Sequence, residues 1–213
     1  METEISSIRR EYLLQQLDEN QVNENPVIQF EKWLEEAISA KVKEPTAMCL
    51  STVGKNLKPS ARIVLLKNTS DAGFSFFTNY ESRKAGQIEE NPNAALLFFW
   101  PELERQVRIE GRIEKVSEKE SDEYFNSRPV GSRLGAWASP QSRAIENRAE
   151  LEKYLNLTNE FFGGKDPVRP TFWGGYRLIP EMFEFWQGRE NRLHDRISFT
   201  LENGGWKIRR LAP

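Results

Sequence analysis

Near its end the chain carries two strand-like runs, 196–201 and 206–211, joined by Asn203-Gly204-Gly205. A turn of residues that tolerate positive φ, set between two β-rich runs, makes a hairpin, and a hairpin can only pair antiparallel. The same texture reaches back to Pro45. Ala47–Val53 stops at Gly54-Lys55-Asn56, 60–67 is closed by 68–73, and 74–78 and 94–100 read as buried strands. Residues 105–116 alternate, with Val107, Ile109 and Ile113 on one face and Arg108, Glu110, Arg112 and Glu114 on the other. Two further short strands are expected around 176–178 and 182–186. Helices interrupt this series. Asn25 and Pro26 open one in which Phe30, Trp33, Leu34, Ala37 and Ile38 recur at helical spacing. Ser82 is expected to cap 83–91, and the capping-box pattern Ser117-Glu118-Lys119-Glu120 to open a helix that Pro129 ends. Residues 144–162 read as an amphipathic helix stopped by Gly163-Gly164. Hairpin-linked strands interrupted by helices predict an α+β fold built on an antiparallel barrel, closed or split.

Residues 1–25 are polar and weakly patterned, with at most a short helix over 5–13. They are expected to form a mobile arm in front of a single domain, 26–213. The 30 Lys and Arg nearly balance the 32 Asp and Glu, so no overall basic field would hold a nucleic acid. Cys49 is the lone cysteine, which excludes an internal disulfide, and with one histidine a zinc site would have to lean on carboxylates; no metal is expected. There is neither a run approaching the ~18 apolar residues of a membrane span nor a hydrophobic leader. A cytoplasmic protein is expected. No G-x-G-x-x-G follows a strand, so a Rossmann dinucleotide site is not indicated.

Four clusters can carry chemistry, and each alone also reads as ordinary structure. Arg62 and Lys67 share one expected strand at a separation of five, which puts them on opposite faces unless a bulge intervenes. Ser82-Arg83-Lys84 places a hydroxyl and two cations at a helix start, where only an anion would relieve their conflict with the helix dipole. Tyr124 and Arg128 are i,i+4 neighbours with Ser132 and Arg133 beyond Pro129, a set suited to phosphate. In 192–196, an extended backbone would put Arg192, His194 and Arg196 on one face, and flanking arginines would keep the imidazole neutral. Together these groups suffice for two phosphates, one on a cofactor and one on a substrate.

The same segments resemble the pyridoxine (pyridoxamine) 5′-phosphate oxidase family. The resemblance is carried by Phe183-Glu184-Phe185-Trp186-Gln187 through Arg192-Leu193-His194-Asp195-Arg196, by Arg62-Ile63-Val64-Leu65-Leu66-Lys67, and by Ser82-Arg83-Lys84. Glu104-Arg105-Gln106-Val107, Ser127-Arg128-Pro129, Phe172-Trp173-Gly174-Gly175 and the closing Arg210-Leu211-Ala212-Pro213 extend it along nearly the whole chain. It implies an FMN-binding split β-barrel acting as a homodimer. Flavin contacts would come from Arg62, Lys67, Thr78, Arg83, Lys84, Gln106, Gln141, Ser142, Trp186 and Arg196. Substrate phosphate would meet Lys67, Tyr124, Arg128 and Ser132; Arg192 and His194 would face the pyridine ring as the catalytic pair, and Arg9 and Tyr12 would cover it. Phe77 stands where many members carry Tyr. The implied reaction oxidises pyridoxamine or pyridoxine 5′-phosphate to pyridoxal 5′-phosphate with oxygen as final acceptor. A split-barrel flavin reductase and a non-catalytic FMN or vitamer carrier are the competing readings, but neither requires Arg192-Leu193-His194 or Tyr124 with Arg128.

Overall fold

The computed structural model describes residues 11–213. In chain order the elements are α1 (Pro26–Ser39), β1 (Ala47–Val53), β2 (Pro59–Leu65), β3 (Asn68–Ser70), β4 (Gly73–Asn79), α2 (Arg83–Glu90), β5 (Asn93–Trp100) and β6 (Arg105–Lys115). There follow α3 (Glu118–Ser127), α4 (Val130–Ala138), α5 (Arg148–Phe162), β7 (Trp173–Gln187), β8 (Asp195–Glu202) and β9 (Gly205–Leu211). The strands form one sheet in the order β2-β1-β5-β6-β7-β4-β3, with β8 paired to β7 and β9 to β8. This is an antiparallel α+β split barrel, one of the two forms that the hairpins left open and the one that the family resemblance implied.

The chain divides into two compact units, and the divisions fall inside strands. One comprises the stretch ending at Cys49 with Leu96–Glu110 and Pro180–Pro213; the other comprises Leu50–Ala95 and Gly111–Ile179. Strands β1, β5, β6 and β7 each run from one unit into the other. No linker composition marks such a boundary, so the sequence shows none.

In the first unit α1 lays Phe30, Trp33 and Ala37 on the sheet. Asn25 caps it by accepting from the Val27 N–H at 2.8 Å, while Ile38, expected on the apolar stripe, is exposed. Phe30 meets Phe98 at 4.8 Å and Trp33 meets Phe185 at 5.2 Å between ring centroids. The β8–β9 hairpin turns at Asn203 and Gly204, with φ of 51° and 80°, the two left-handed residues that a tight hairpin needs. In the second unit Phe74, Phe76, Ile113, Phe125, Tyr176 and Leu178 are buried together with the inner face of α2.

Several local expectations change. The two short strands expected at 176–178 and 182–186 are one strand, β7, which pairs with β4 over 173–178 and with β8 over 182–187. Pro180 has no N–H for a ladder and falls in the gap between the two pairings. Helix α4 was not expected; Pro129, taken only as a terminator, ends α3 and stands directly before α4. Helix α5 begins at Arg148 rather than 144, because Asn147 caps it by accepting from the Glu150 N–H at 3.1 Å. None of its residues is buried.

Residues 11–25 include no helix or strand, yet they are tethered. Leu17 is buried, its N–H donates to Asp195, and Arg210 donates to the Leu17 carbonyl and to Glu19. Among the described residues no helix is long and apolar enough to cross a membrane.

Candidate functional site

Lys84 is the centre of one polar cluster in the second unit. Its ammonium donates to Gln141 Oε1 at 2.8 Å, Thr78 Oγ1 at 3.1 Å and Ser82 Oγ at 3.3 Å, all neutral acceptors. Thr78 itself donates to Gln141 at 2.9 Å. Burial, aided by the nearby Arg62 charge, lowers the Lys84 pKa to about 8. A half-buried ammonium beside a second cation, with neutral partners only, is a setting that an anion would relieve. Ser82 occupies the cap position of α2, as expected, but its hydroxyl donates to the Asn79 carbonyl at 2.7 Å rather than capping the helix. The first turn of α2 contains no acidic residue and begins with exposed Arg83. Ser142 follows Gln141 in left-handed backbone, φ 70°.

Arg62 lies on β2 and donates to Leu50 O at 2.9 Å, Thr52 Oγ1 at 2.7 Å, Ser60 Oγ at 2.5 Å and, weakly, Gln87 Oε1 at 3.4 Å. Ser60, two residues earlier on the same strand, shares its face, and that spacing was the available signal for this set. Lys67 is not on the strand: β2 ends at Leu65, and the Lys67 N–H donates to Ser75 O at 2.9 Å. The question of opposite strand faces therefore does not arise.

A second cluster surrounds Arg128. Its guanidinium lies 4.7 Å above the Trp173 ring, and its Nη1 is buried with no hydrogen-bond partner among the described residues. Burial lowers its pKa. A buried N–H without an acceptor is costly and fits an incoming oxyanion. Arg128 and Ser132 line a cavity of about 290 Å³ together with Asn79, Ser139, Gln141 and Trp173. Tyr124 is not on that lining: its ring stacks on Phe77 at 3.9 Å and lies parallel to Trp173. Arg128 is the C-cap of α3, with φ −76° and ψ 148°, so its Cα keeps the helical place four residues after Tyr124 and only the chain beyond it leaves the helix. Arg133 points elsewhere, to Asp166 at 3.2 Å.

In the first unit His194 packs against Trp186 at 4.7 Å and Tyr12 at 5.6 Å between centroids. Residues 192–194 are not extended: Glu190–Arg192 form a 3-10 turn, Arg192 has φ 62°, and β8 starts only at Asp195. The shared strand face of Arg192, His194 and Arg196 is therefore replaced by a turn followed by a strand. The neutral imidazole does follow. Burial first, and then the Arg192 charge, push its pKa below the usual value, against an opposing effect of Asp195. Its Nδ1 accepts the Arg189 N–H at 3.1 Å, so the neutral ring holds its proton at Nε2. Arg196 does not contribute to that shift, because its charge is taken by buried Glu184 at 2.9 and 3.0 Å, and a further N–H goes to Ala212 O. Glu184 also holds Arg108 at 2.7 Å. The sequence showed Glu184 only as a charge between two phenylalanines on a strand. Gln106 lies half-buried on β6, and Arg9 lies outside the described residues. Among the described residues no group of three or more His, Cys, Asp or Glu could hold a metal.

Comparison with known proteins finds relatives along nearly the whole chain. Residues 34–156 match the family model described as pyridoxamine 5′-phosphate oxidase, and 173–213 match its C-terminal dimerisation region. The chain is 56% identical over 212 residues to the pyridoxine/pyridoxamine 5′-phosphate oxidase of Cupriavidus pinatubonensis, covering 99% of this chain and all of that one. It is likewise 56% identical to the oxidase of Burkholderia mallei, again over 99% of this chain and all of the other. Among solved structures, PhzG from Burkholderia lata, in complex with tetrahydrophenazine-1-carboxylic acid, superposes with a TM-score of 0.88 at 29% identity, covering 94% of this chain and 99% of PhzG. A pyridoxamine 5′-phosphate oxidase-related, FMN-binding protein from Nostoc punctiforme shares the fold, with a TM-score of 0.69 at 18% identity over 86% of this chain and 97% of that one. The chain belongs to the pyridoxine/pyridoxamine 5′-phosphate oxidase family of enzymes.

Proposed function

We propose that the protein oxidises pyridoxamine 5′-phosphate and pyridoxine 5′-phosphate to pyridoxal 5′-phosphate with FMN, as a homodimer. The observation that carries the reading is the pair of anion-seeking cations in the second unit, Lys84 with its lowered pKa and Arg128 with its orphaned Nη1. They supply one site for a cofactor phosphate and one for a substrate phosphate. Lys84, Arg62, Arg83, Thr78, Gln141 and Ser142 would hold FMN, joined by Gln106, Trp186, Arg196 and Lys67. Arg128 and Ser132, with Tyr124 and Lys67, would hold the substrate phosphate.

FMN held by these residues would supply the acceptor, N5, for a hydride from C4′ of the substrate, with oxygen as the final acceptor and hydrogen peroxide as the by-product. With the amine substrate, hydrolysis of the resulting imine releases ammonia. The protein's share is placement. Arg192 offers a charge on an exposed turn, and His194 offers an Nε2–H donor with no positive charge. Tilted packing on Trp186 and an edge-on contact with Tyr12 hold the plane of that imidazole. The Arg9 and Tyr12 segment would cover the ring and exclude water.

The test is anaerobic addition of pyridoxamine 5′-phosphate to the purified holoprotein, followed by flavin absorbance. Bleaching that reverses in air supports the reading. A flavin that stays oxidised with both vitamers but bleaches with tetrahydrophenazine-1-carboxylic acid, the ligand in the PhzG complex, would overturn it in favour of a PhzG-like reaction.

A further inference from the structure

Residues 12–14 have no regular structure, yet their backbone is held by one side chain. The N–H groups of Leu13 and Leu14 both donate to Glu104 Oε2, at 2.9 and 3.1 Å. Glu104 is only 2% exposed and sits in left-handed backbone, φ 55°, just after the 3-10 turn Pro101–Leu103. A buried carboxylate is tolerated where charge-assisted hydrogen bonds replace its water, and two amide donors on one oxygen provide them. The carbonyl of the same residue accepts the Gly188 N–H at 2.8 Å and Gln187 Nε2 at 3.2 Å. Glu104 thus ties two segments at once: the arm through its carboxylate, and the end of β7 through its backbone.

Between those attachments stands Tyr12. Its ring meets Trp186 edge-on at 5.7 Å and His194 at 5.6 Å. Beneath it Gly188 leaves the necessary room: a Cβ there would lie 2.7 Å from Tyr12 Cγ and 2.8 Å from its Cβ. Those atoms form the stem of the side chain, so rotating the ring would not relieve the overlap, and the arm itself would have to move.

We propose that Glu104 and Gly188 are positioning residues: Glu104 latches residues 13 and 14, and Gly188 leaves the space in which Tyr12 packs against Trp186 and His194. The oxidase reading enters only in what that aromatic cluster acts on; the latch itself rests on the contacts alone. Neither residue touches the proposed substrate, and both act through Tyr12.

The experiment uses the full-length FMN-loaded protein and two measurements, amide hydrogen exchange at Leu13 and Leu14 and steady-state kinetics with pyridoxine 5′-phosphate. Glu104→Ala should speed exchange at both amides by about tenfold or more, and Glu104→Gln, which keeps an acceptor oxygen, should restore protection. Glu104→Ala and Gly188→Ala should each lower kcat/KM by about tenfold with unchanged flavin content, since displacements near 1 Å can cost as much as a hundredfold. In a Tyr12→Ala background, Gly188→Ala should add less than about twofold, because its effect runs through the removed ring. Unchanged exchange in a folded Glu104→Ala protein, or a Gly188→Ala loss undiminished in the Tyr12→Ala background, would overturn the proposal. If Glu104→Ala does not fold, the Tyr12 and Gly188 cycle decides alone. A wild-type protein that oxidises neither vitamer would sink the functional reading while exchange at 13 and 14 still judged the latch.

Discussion

Lys84 carries a charge that its surroundings disfavour, and this has a measurable consequence. With its pKa lowered to about 8 by burial and by Arg62, the ammonium of the flavin-free protein is mostly charged at pH 7 and mostly neutral at pH 9. A phosphate stabilises the charged form, so above pH 8 binding must take up a proton. FMN affinity of the apoprotein is therefore expected to fall between pH 7 and pH 9, approaching tenfold per pH unit at the upper end, and Lys84→Met should flatten the profile. Titration of flavin fluorescence quenching at each pH would show this, and equal pH slopes in both proteins would count against it. Arg192→Ala should cost more kcat/KM than His194→Ala, since it removes a charge as well as a placement contact, while both keep their flavin. Wild-type kinetics in both variants would relocate the site. Part of this chemistry was legible by residue type, in Lys84, Arg128 and the neutral His194, whereas Thr78 and Gln141, which the structure puts against Lys84, came only from the family resemblance. The fate of Arg196 was not, because Glu184 reaches it across paired strands β7 and β8 rather than along the chain.

Helix α3 connects the cap chemistry of the sequence to the phosphate cluster. Ser117 accepts the Glu120 N–H at 3.1 Å, and the helix it starts carries Tyr124 onto Phe77 and ends at Arg128. Ser117→Ala is expected to cost about 1 kcal/mol, the usual worth of such a cap. For a chain of this size that lowers Tm by roughly 2–4 °C. Because Arg128 is also fixed by its stack on Trp173, substrate KM should change less than twofold. Calorimetry and kinetics on the same variant separate the two, and a large KM shift without a Tm shift would contradict this division. Elements with strong local punctuation, α1, α3 and the β8–β9 hairpin, were readable; α4 was hidden because the proline that stops α3 also stands at the start of α4.

At the level of the whole molecule, the C-terminal residues 173–213 match a dimerisation region, and the proposed assembly is a homodimer whose flavin sites need both copies. FMN should then stabilise the dimer by linkage. Sedimentation at nanomolar concentration is expected to show a dimer for the holoprotein and a weaker one after flavin removal. A monomer with tightly held flavin and full activity would refute the assembly.

The sequence by itself determined which residues face inward and where most elements begin, since the 2-residue and 3.6-residue periods and the caps at Asn25 and Ser117 are local signals. It also determined that cations and hydroxyls come in groups fit for phosphate. Only the tertiary structure decided that β7 is one strand that pairs with β4 over its first part and β8 over its last, that Glu184 neutralises Arg196, and that Glu104 grips an arm ninety residues away in sequence. A periodic pattern specifies that a face must be buried or a charge paired, but the partner comes from a distant part of the chain. Its identity is set by the folded packing, where burying an unpaired charge costs more than ordering the segment that pairs it.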